Sequence, residues 1–327
     1  TGNTERDAVF QVVLLLEEKK YRYGFSLDYA GRLHKEWLFG PAEKNDTYYF
    51  QRTIEKIDIN EERFVEGKGL PLDKLRDDAL FLGFCASFDG AVSRLIRGFI
   101  IGQLSFDMGR FESGSPRAQS MHRRRTDNLV TAGKKSVVLN WLQEAGIPYS
   151  DIVIRLTETE RRSPTTYVDL IKQVRNDEGE IVDMAIMDLD RDESEGTRKF
   201  YRLIGRIHEL FEQGGLFISD EIDGNFHPFL LLKLVQLFQN PKVNKAGAQF
   251  LFTSHDTNVM SPSIMRRDQF YFTEKTLKDN TRLYSMADLK GIRNNADFAR
   301  QYLAGFYGAL PQLGNYLEEQ AALEQDQ

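Results

Sequence analysis

The sequence predicts an α/β fold: a β-meander at the N-terminal end, an inserted helical region, and a C-terminal lobe built around a strand-helix-strand unit. Three observations predict it. The apolar run Leu216-Phe217-Ile218-Ser219-Asp220-Glu221 ends in two acids, a helix opens after Phe226-His227-Pro228, and a second apolar run, Gln249 to His255, ends in histidine. Residues 8 to 52 alternate as half-buried strands do, and from Leu72 to about Leu142 the apolar period lengthens to that of a helix. With 327 residues, 41% hydrophobic and 28% charged, the chain can bury one or two substantial cores.

Charge and composition narrow the function classes. A net charge of -6 argues against coating nucleic acid through bulk charge, though a local basic groove remains compatible. The single cysteine, Cys85, rules out an internal disulfide and fits a reducing cytosol. No apolar run approaches the roughly 20 residues of a membrane span and no signal peptide is visible, so a cytoplasmic protein without membrane contact is expected.

Taken in order, Val9 to Leu16 reads as a strand, Glu17 to Lys20 as a polar turn and Tyr21 to Leu27 as its partner, with further strands around Leu33 to Phe39 and Thr47 to Arg52. Leu75, Ala79, Leu82, Phe84, Phe88, Val92, Leu95, Ile96, Phe99 and Ile100 mark the helical region. Residues 105 to 125 loosen to Ser-Gly-Ser-Pro and Arg123-Arg124-Arg125 and read as a loop. Strand character returns at Ile152 to Leu156, Tyr167 to Val174 and Ile181 to Leu189. The expected domains are 1–58, a β-rich part; 59–150, the helical insertion; 151–316, the C-terminal lobe; and 317–327, an acidic tail.

The chemistry concentrates in that lobe. An acid at the end of a buried strand can hold Mg²⁺ through water, and the next acid can orient an attacking water. In a right-handed crossover Glu221 and His255 both emerge at the C-terminal edge of a parallel sheet, where ligands bind. A metal site made from Asp220, Asp223, His227 and His255 is the competing reading of the same residues. Upstream, Asp192-Glu193-Ser194-Glu195-Gly196-Thr197 leads into the helical run Arg198 to Leu210. A serine and a glycine at a helix start offer a hydroxyl, backbone N–H groups and a positive dipole end to a phosphate, while the plain alternative is Ser194 as an ordinary N-cap. Asp188 and Asp190 invite a nuclease reading, against which stands a solvated strand end. Arg123 to Arg125 could contact phosphates or simply face solvent.

Ser194-Glu195-Gly196-Thr197, then Leu216 to Glu221 with Asp223 and His227-Pro228, then Thr253-Ser254-His255-Asp256 resemble the motifs of ABC-type ATPases of the SMC and OLD branch. More narrowly the chain resembles the stand-alone ATP-binding proteins of bacterial anti-phage systems, the kind to which the PARIS ATPase component belongs. Tyr21 to Phe25 with Glu36-Trp37-Leu38, and Tyr302 to Pro311, add to the match. The resemblance implies an ABC-type P-loop ATPase head using ATP and Mg²⁺. Asp220 would support the metal, Glu221 would be the catalytic base and His255 the switch histidine at the γ-phosphate. Ser194, Glu195, Gly196 and Thr197 would form the signature motif that binds ATP held by a partner subunit, and Asn225 and His227 would lie in the loop crossing the dimer interface. One element of the family is not in these 327 residues: no Gly-x-x-x-x-Gly-Lys-[Ser/Thr] occurs, and Gly133-Lys134-Lys135-Ser136 has Asn128 in place of the first glycine. In the family the phosphate loop precedes the meander, so it is expected ahead of Thr1.

The functional expectation is an ATP-driven sensor or scaffold in an anti-phage system that forms at least a dimer, answers a phage protein and controls a companion effector such as a nuclease or toxin. The alternative is a DNA-repair ATPase that binds DNA directly.

Overall fold

The computed structural model describes residues 6–41, 46–108, 116–159, 162–224, 226–276 and 280–311. The chain divides into two compact units, Thr1–Leu104 and Ser105–Gln327.

In the first unit β1 (Ala8–Leu16), β2 (Lys19–Leu27), β3 (Leu33–Gly40), β4 (Thr47–Thr53) and β5 (Ile57–Ile59) form one antiparallel sheet in chain order. The alternation that predicted these strands is the alternation that buries Tyr21, Tyr23, Leu38 and Phe50 on one face. Against that core pack α1 (Phe81–Ser87) and α2 (Ala91–Gly98). Neither helix carries a side-chain N-cap of its own. Glutamates from elsewhere in the unit supply the acceptors instead. Glu36, 1% exposed, takes the Phe81 and Leu82 N–H groups at 2.6 and 3.0 Å and the Tyr23 hydroxyl at 3.0 Å. Glu66 takes the Val92 and Ser93 N–H groups at 2.8 and 2.9 Å. Burial raises the Glu36 carboxyl, opposed by these donors and by Arg52. Glu36→Ala strands two buried amides and a phenol, and should cost about 3 kcal/mol, read as a lower urea midpoint of the whole chain.

The second unit holds the predicted strand-helix-strand. β6 (Leu104–Met108), β10 (Leu216–Asp220) and β11 (Gln249–Phe252) form a sheet in the order β11-β10-β6, with β10 and β11 parallel. Between β10 and β11 runs α6 (Pro228–Gln239), which buries Leu231, Leu234 and Val235. β7 (Asp151–Thr159), β8 (Arg162–Arg175) and β9 (Ile181–Asp188) make a separate antiparallel sheet, and β12 (Tyr271–Lys275) pairs with β13 (Thr281–Ser285). α3 (Pro116–Leu129), α4 (Lys135–Glu144), α5 (Glu195–Gln213) and α7 (Phe298–Leu303) complete the unit.

Two features differ from the sequence reading of residues 105 to 125. β6 occupies 104–108 and α3 covers the Arg-rich stretch. The five residues Leu-Ser-Phe-Asp-Met alternate, but with the sense inverted: Phe106 is exposed, and the inward Ser105 and Asp107 are hydrogen-bonded, the Ser219 hydroxyl donating to Asp107 Oδ2 at 2.9 Å and Arg206 Nε to Ser105 Oγ at 2.7 Å. Arg123 is 2% exposed, so it cannot meet a nucleic acid. It pairs with Asp127 at 3.3 Å and with Asp190, and donates to the Thr166 carbonyl. Arg125 pairs with Glu209 at 3.0 Å.

α3 crosses α5 at very short range. The Gly205 N–H donates to Thr126 Oγ1 at 2.9 Å, and that hydroxyl donates to the Tyr201 carbonyl at 2.7 Å. Beside this crossing the Tyr201 hydroxyl donates to Asp127 at 3.1 Å. Burial pushes the Asp127 carboxyl up to about 6, against the pull of Arg123 and Tyr201. The unfolded group titrates near ~3.9, so the folded state holds the proton more tightly between those values. The resulting contribution is present at about pH 4 and is lost as pH rises through 6. Asp127→Asn removes that titration. Wild type should therefore gain on the order of 1 kcal/mol relative to the variant between pH 7 and pH 5, measurable by paired thermal melts.

Candidate functional site

The C-terminal edge of the β10/β11 pair gathers three of the predicted groups. β10 ends at Asp220, and the chain turns so sharply that Glu221 adopts φ 49, a left-handed conformation that a side chain with a Cβ seldom takes. Thr253, just past β11, fixes this turn. Its hydroxyl donates to Asp220 Oδ1 at 2.6 Å and accepts the Glu221 N–H at 2.7 Å. The Thr253 N–H donates to the Ser219 carbonyl at 3.0 Å, and its own carbonyl takes the Ile222 N–H at 3.1 Å. Two residues on, the His255 N–H donates to Asp223 Oδ2 at 3.2 Å. Asp220, Glu221 and His255 thus stand together, with Thr253 and Asp223 between them. Asp220 and His255 are exposed and Glu221 is half-buried.

The donor set suits a hydrated Mg²⁺ better than a metal cage. Asp223 Oδ1 and Asp256 Oδ2 are shut off from solvent without a hydrogen-bond partner among the described residues. Buried carboxylate oxygens left so are expensive unless a cation or its waters satisfies them. Among the described residues no three His, Cys, Asp or Glu groups converge to bind a metal directly, which removes the support for a cage of Asp220, Asp223, His227 and His255. Mg²⁺ keeps most of its waters and needs only one or two carboxylates besides a phosphate.

The loop before α5 forms a second constellation. Ser194 is the N-cap of α5: its hydroxyl accepts the Thr197 N–H at 3.1 Å and lies 3.0 Å from Thr197 Oγ1. The plain reading of this serine is therefore realised, and it leaves the ligand reading open. A hydroxyl has two lone pairs and one proton, so one capping bond does not exhaust it. Glu195 is tied to Arg198 at 2.6 Å, Thr197 is buried, and Gly196 lies between them in the first turn. The acids upstream serve the turn. Asp188 accepts the Asp190 and Arg191 N–H groups at 2.9 and 3.0 Å, and Asp192 accepts the Asp188 N–H at 2.8 Å. Arg123 binds the Asp190 carboxylate, Arg198 the Asp190 carbonyl at 2.5 Å, and the Tyr149 hydroxyl donates to Glu193.

His227 is the N-cap of α6, its Nδ1 accepting the Phe229 N–H at 3.3 Å with Pro228 at the first helical position. Asn225 lies outside the described residues. Gly133 to Ser136 joins α3 to α4 with no strand before it, and Lys135 pairs with Asp151 at 2.6 Å, which excludes it as a phosphate loop.

The sequence reading missed Thr253 as a clamp, Asp107 behind β10, and Lys199. Lys199 betrays itself only as a lysine on the apolar stripe of α5, where Phe200, Leu203 and Ile207 are also buried.

Residues 104–261, a little under half of the chain, match the model of a family described as an AAA domain of the AbiEii-toxin, type IV toxin–antitoxin kind. The matched segment begins at β6 and closes after His255, so it spans both constellations. No curated protein matches the chain. Among solved structures, the SMC head domain from Thermotoga maritima is 12% identical over 85% of this chain and 74% of that one, with a TM-score of 0.36. An Smc head domain bound to the C-terminal domain of ScpA, derived from Pyrococcus furiosus, is 11% identical over 88% and 75%, with a TM-score of 0.32. Scores of this size carry no inference about individual residues. The mixed α/β build, with the family match over residues 104–261, is that of an ABC-type P-loop ATPase fold.

Proposed function

We propose that this chain supplies the Mg²⁺-supporting and signature halves of a composite ATP-hydrolysing site, completed by a phosphate loop and a second copy, and that ATP-driven assembly lets it act as a sensor or scaffold over a companion effector. The observation that carries this reading is the Thr253 clamp. It holds Asp220 and Glu221 side by side at a parallel sheet edge, with Glu221 in a left-handed turn, a strained conformation of the kind that clusters at functional sites.

In this reading Asp220 holds the metal's waters, Mg²⁺ when bound neutralises charge on the transferred phosphoryl group, and Glu221 orients the attacking water and accepts its proton. His255 meets the γ-phosphate. Ser194 and the first-turn N–H of Gly196 face the nucleotide of the second copy, with Glu195 tethered away by Arg198. Asn225 and His227 sit at the interface between copies. The matched family is described as an AbiEii-type toxin of a type IV toxin–antitoxin system, a setting in which control of a companion nuclease or toxin by a phage protein would have a place.

The test is ATP turnover by the full-length gene product with size measurement in ATP. Turnover together with an ATP-dependent dimer or larger assembly is expected. A strict monomer with ATP, and no effector recovered with it, would overturn the proposal.

A further inference from the structure

Lys199 lies five residues into α5 from Ser194, yet it is 7% exposed. Its ammonium donates to the carbonyls of Ile222 at 2.9 Å, Gly224 at 3.2 Å and Glu221 at 3.5 Å, and sits 4.8 Å above the Phe226 ring. An ammonium has three N–H donors, and burying it is costly unless they are satisfied. The carbonyls of Glu221, Ile222 and Gly224 therefore cannot turn away without stripping Lys199, and Lys199 cannot move without α5.

We propose that Lys199 is a positioning residue that couples the Ser194 end of α5 to the Glu221 loop, so that the two half-sites carried by one chain respond to each other. This rests on the ATP reading above, in which Ser194 serves the partner's nucleotide and Glu221 the chain's own. α5 is a 19-residue helix packed on α3 through Gly205, and in this proposal it carries a displacement along its axis as one piece. A shift of its first turn as a partner's nucleotide docks on Ser194 is carried to Lys199 about 7 Å along the axis, at ~1.5 Å per residue. From there it reaches the carbonyl of Glu221, which is held at positive φ. A discrete contact of this kind biases the loop between two arrangements and so links occupancy of one site to turnover at the other.

The experiment compares Lys199→Met and Lys199→Arg with wild type. In the full-length protein Lys199→Met should lower kcat at least tenfold, leave KM for ATP within about twofold, and reduce the Hill coefficient of turnover to one; Lys199→Arg, which keeps the donors, should restore part of kcat. A second readout needs no nucleotide. Amide exchange in Lys199→Met should quicken at least tenfold at both ends of the link, at the Ile222 and Gly224 N–H groups and at the Thr197 N–H that caps on Ser194. A folded Lys199→Met with unchanged kcat and Hill coefficient overturns the proposal, as does faster exchange in the loop alone. If wild type turns over no ATP, it is the ATP reading that fails, and the exchange at Thr197 still decides whether the two ends are coupled.

Discussion

Glu221→Gln is expected to lower ATP turnover by the full-length protein at least about a hundredfold, and to trap it with ATP in the larger assembly. The amide keeps the size of the side chain and the Thr253 bond to the main chain, which is made through the Glu221 N–H. The substitution removes the proton acceptor, and a positioned general base typically supplies about 10²–10⁴ in rate. Glu221→Gly sharpens the test. Glycine takes φ 49 without the steric cost that a left-handed conformation imposes on other residues, about 1–2 kcal/mol, so this variant should melt higher than wild type while turning over no ATP. Stability and activity moving in opposite directions at one position is the signature of a site strained for function. Equal turnover by Glu221→Gln and wild type would remove Glu221 from the chemistry.

Among the described glycines of the second unit, Gly205 should tolerate an added methyl least. A Cβ there would lie 2.3 Å from the Thr126 nitrogen and 2.5 Å from the Arg125 carbonyl carbon. Both are backbone atoms, so the strain cannot be relieved by rotating a side chain. α3 and α5 must part, and the bonds of Thr126 Oγ1 to Gly205 and Tyr201 lengthen with them. A cost of about 3 kcal/mol or more follows, seen in the urea midpoint. Because Arg123 on α3 binds Asp190 in the loop that leads to Ser194, turnover should fall with it even where the variant still folds. Thr126→Ser, which keeps the hydroxyl and makes no new clash, should cost far less.

Much of the candidate site was legible because its chemistry is local. Asp220-Glu221 end an apolar run, His255 follows another, and Ser194 precedes a helical stripe, so strand ends and a helix cap can be located from period and polarity alone. The stretch 105 to 125 was not legible for the opposite reason. β6 and α3 carry Ser105, Asp107, Arg123, Thr126 and Asp127 on buried faces, and each is satisfied by a partner at least 60 residues away or by a neighbour on its own helix. Periodicity sees such residues as solvent-facing, and offers the Arg123 to Arg125 run as a solvated face or a phosphate contact, whereas the fold buries its first member.

By itself the sequence determined that this chain builds a meander and a strand-helix-strand edge, and which acids and histidine stand at that edge, since hydrophobic period and strand ends depend on neighbours a few residues apart. What those groups do to one another depends on contacts that exist only once the chain is folded. The Thr253 hydroxyl bridges Asp220 and Glu221 across 33 residues of chain at most, and Lys199 reaches into the next loop. The positive φ of Glu221 is held by both. Such contacts are made by side chains that burial forces to find partners wherever the fold brings them, and no spacing within a sequence records where that will be.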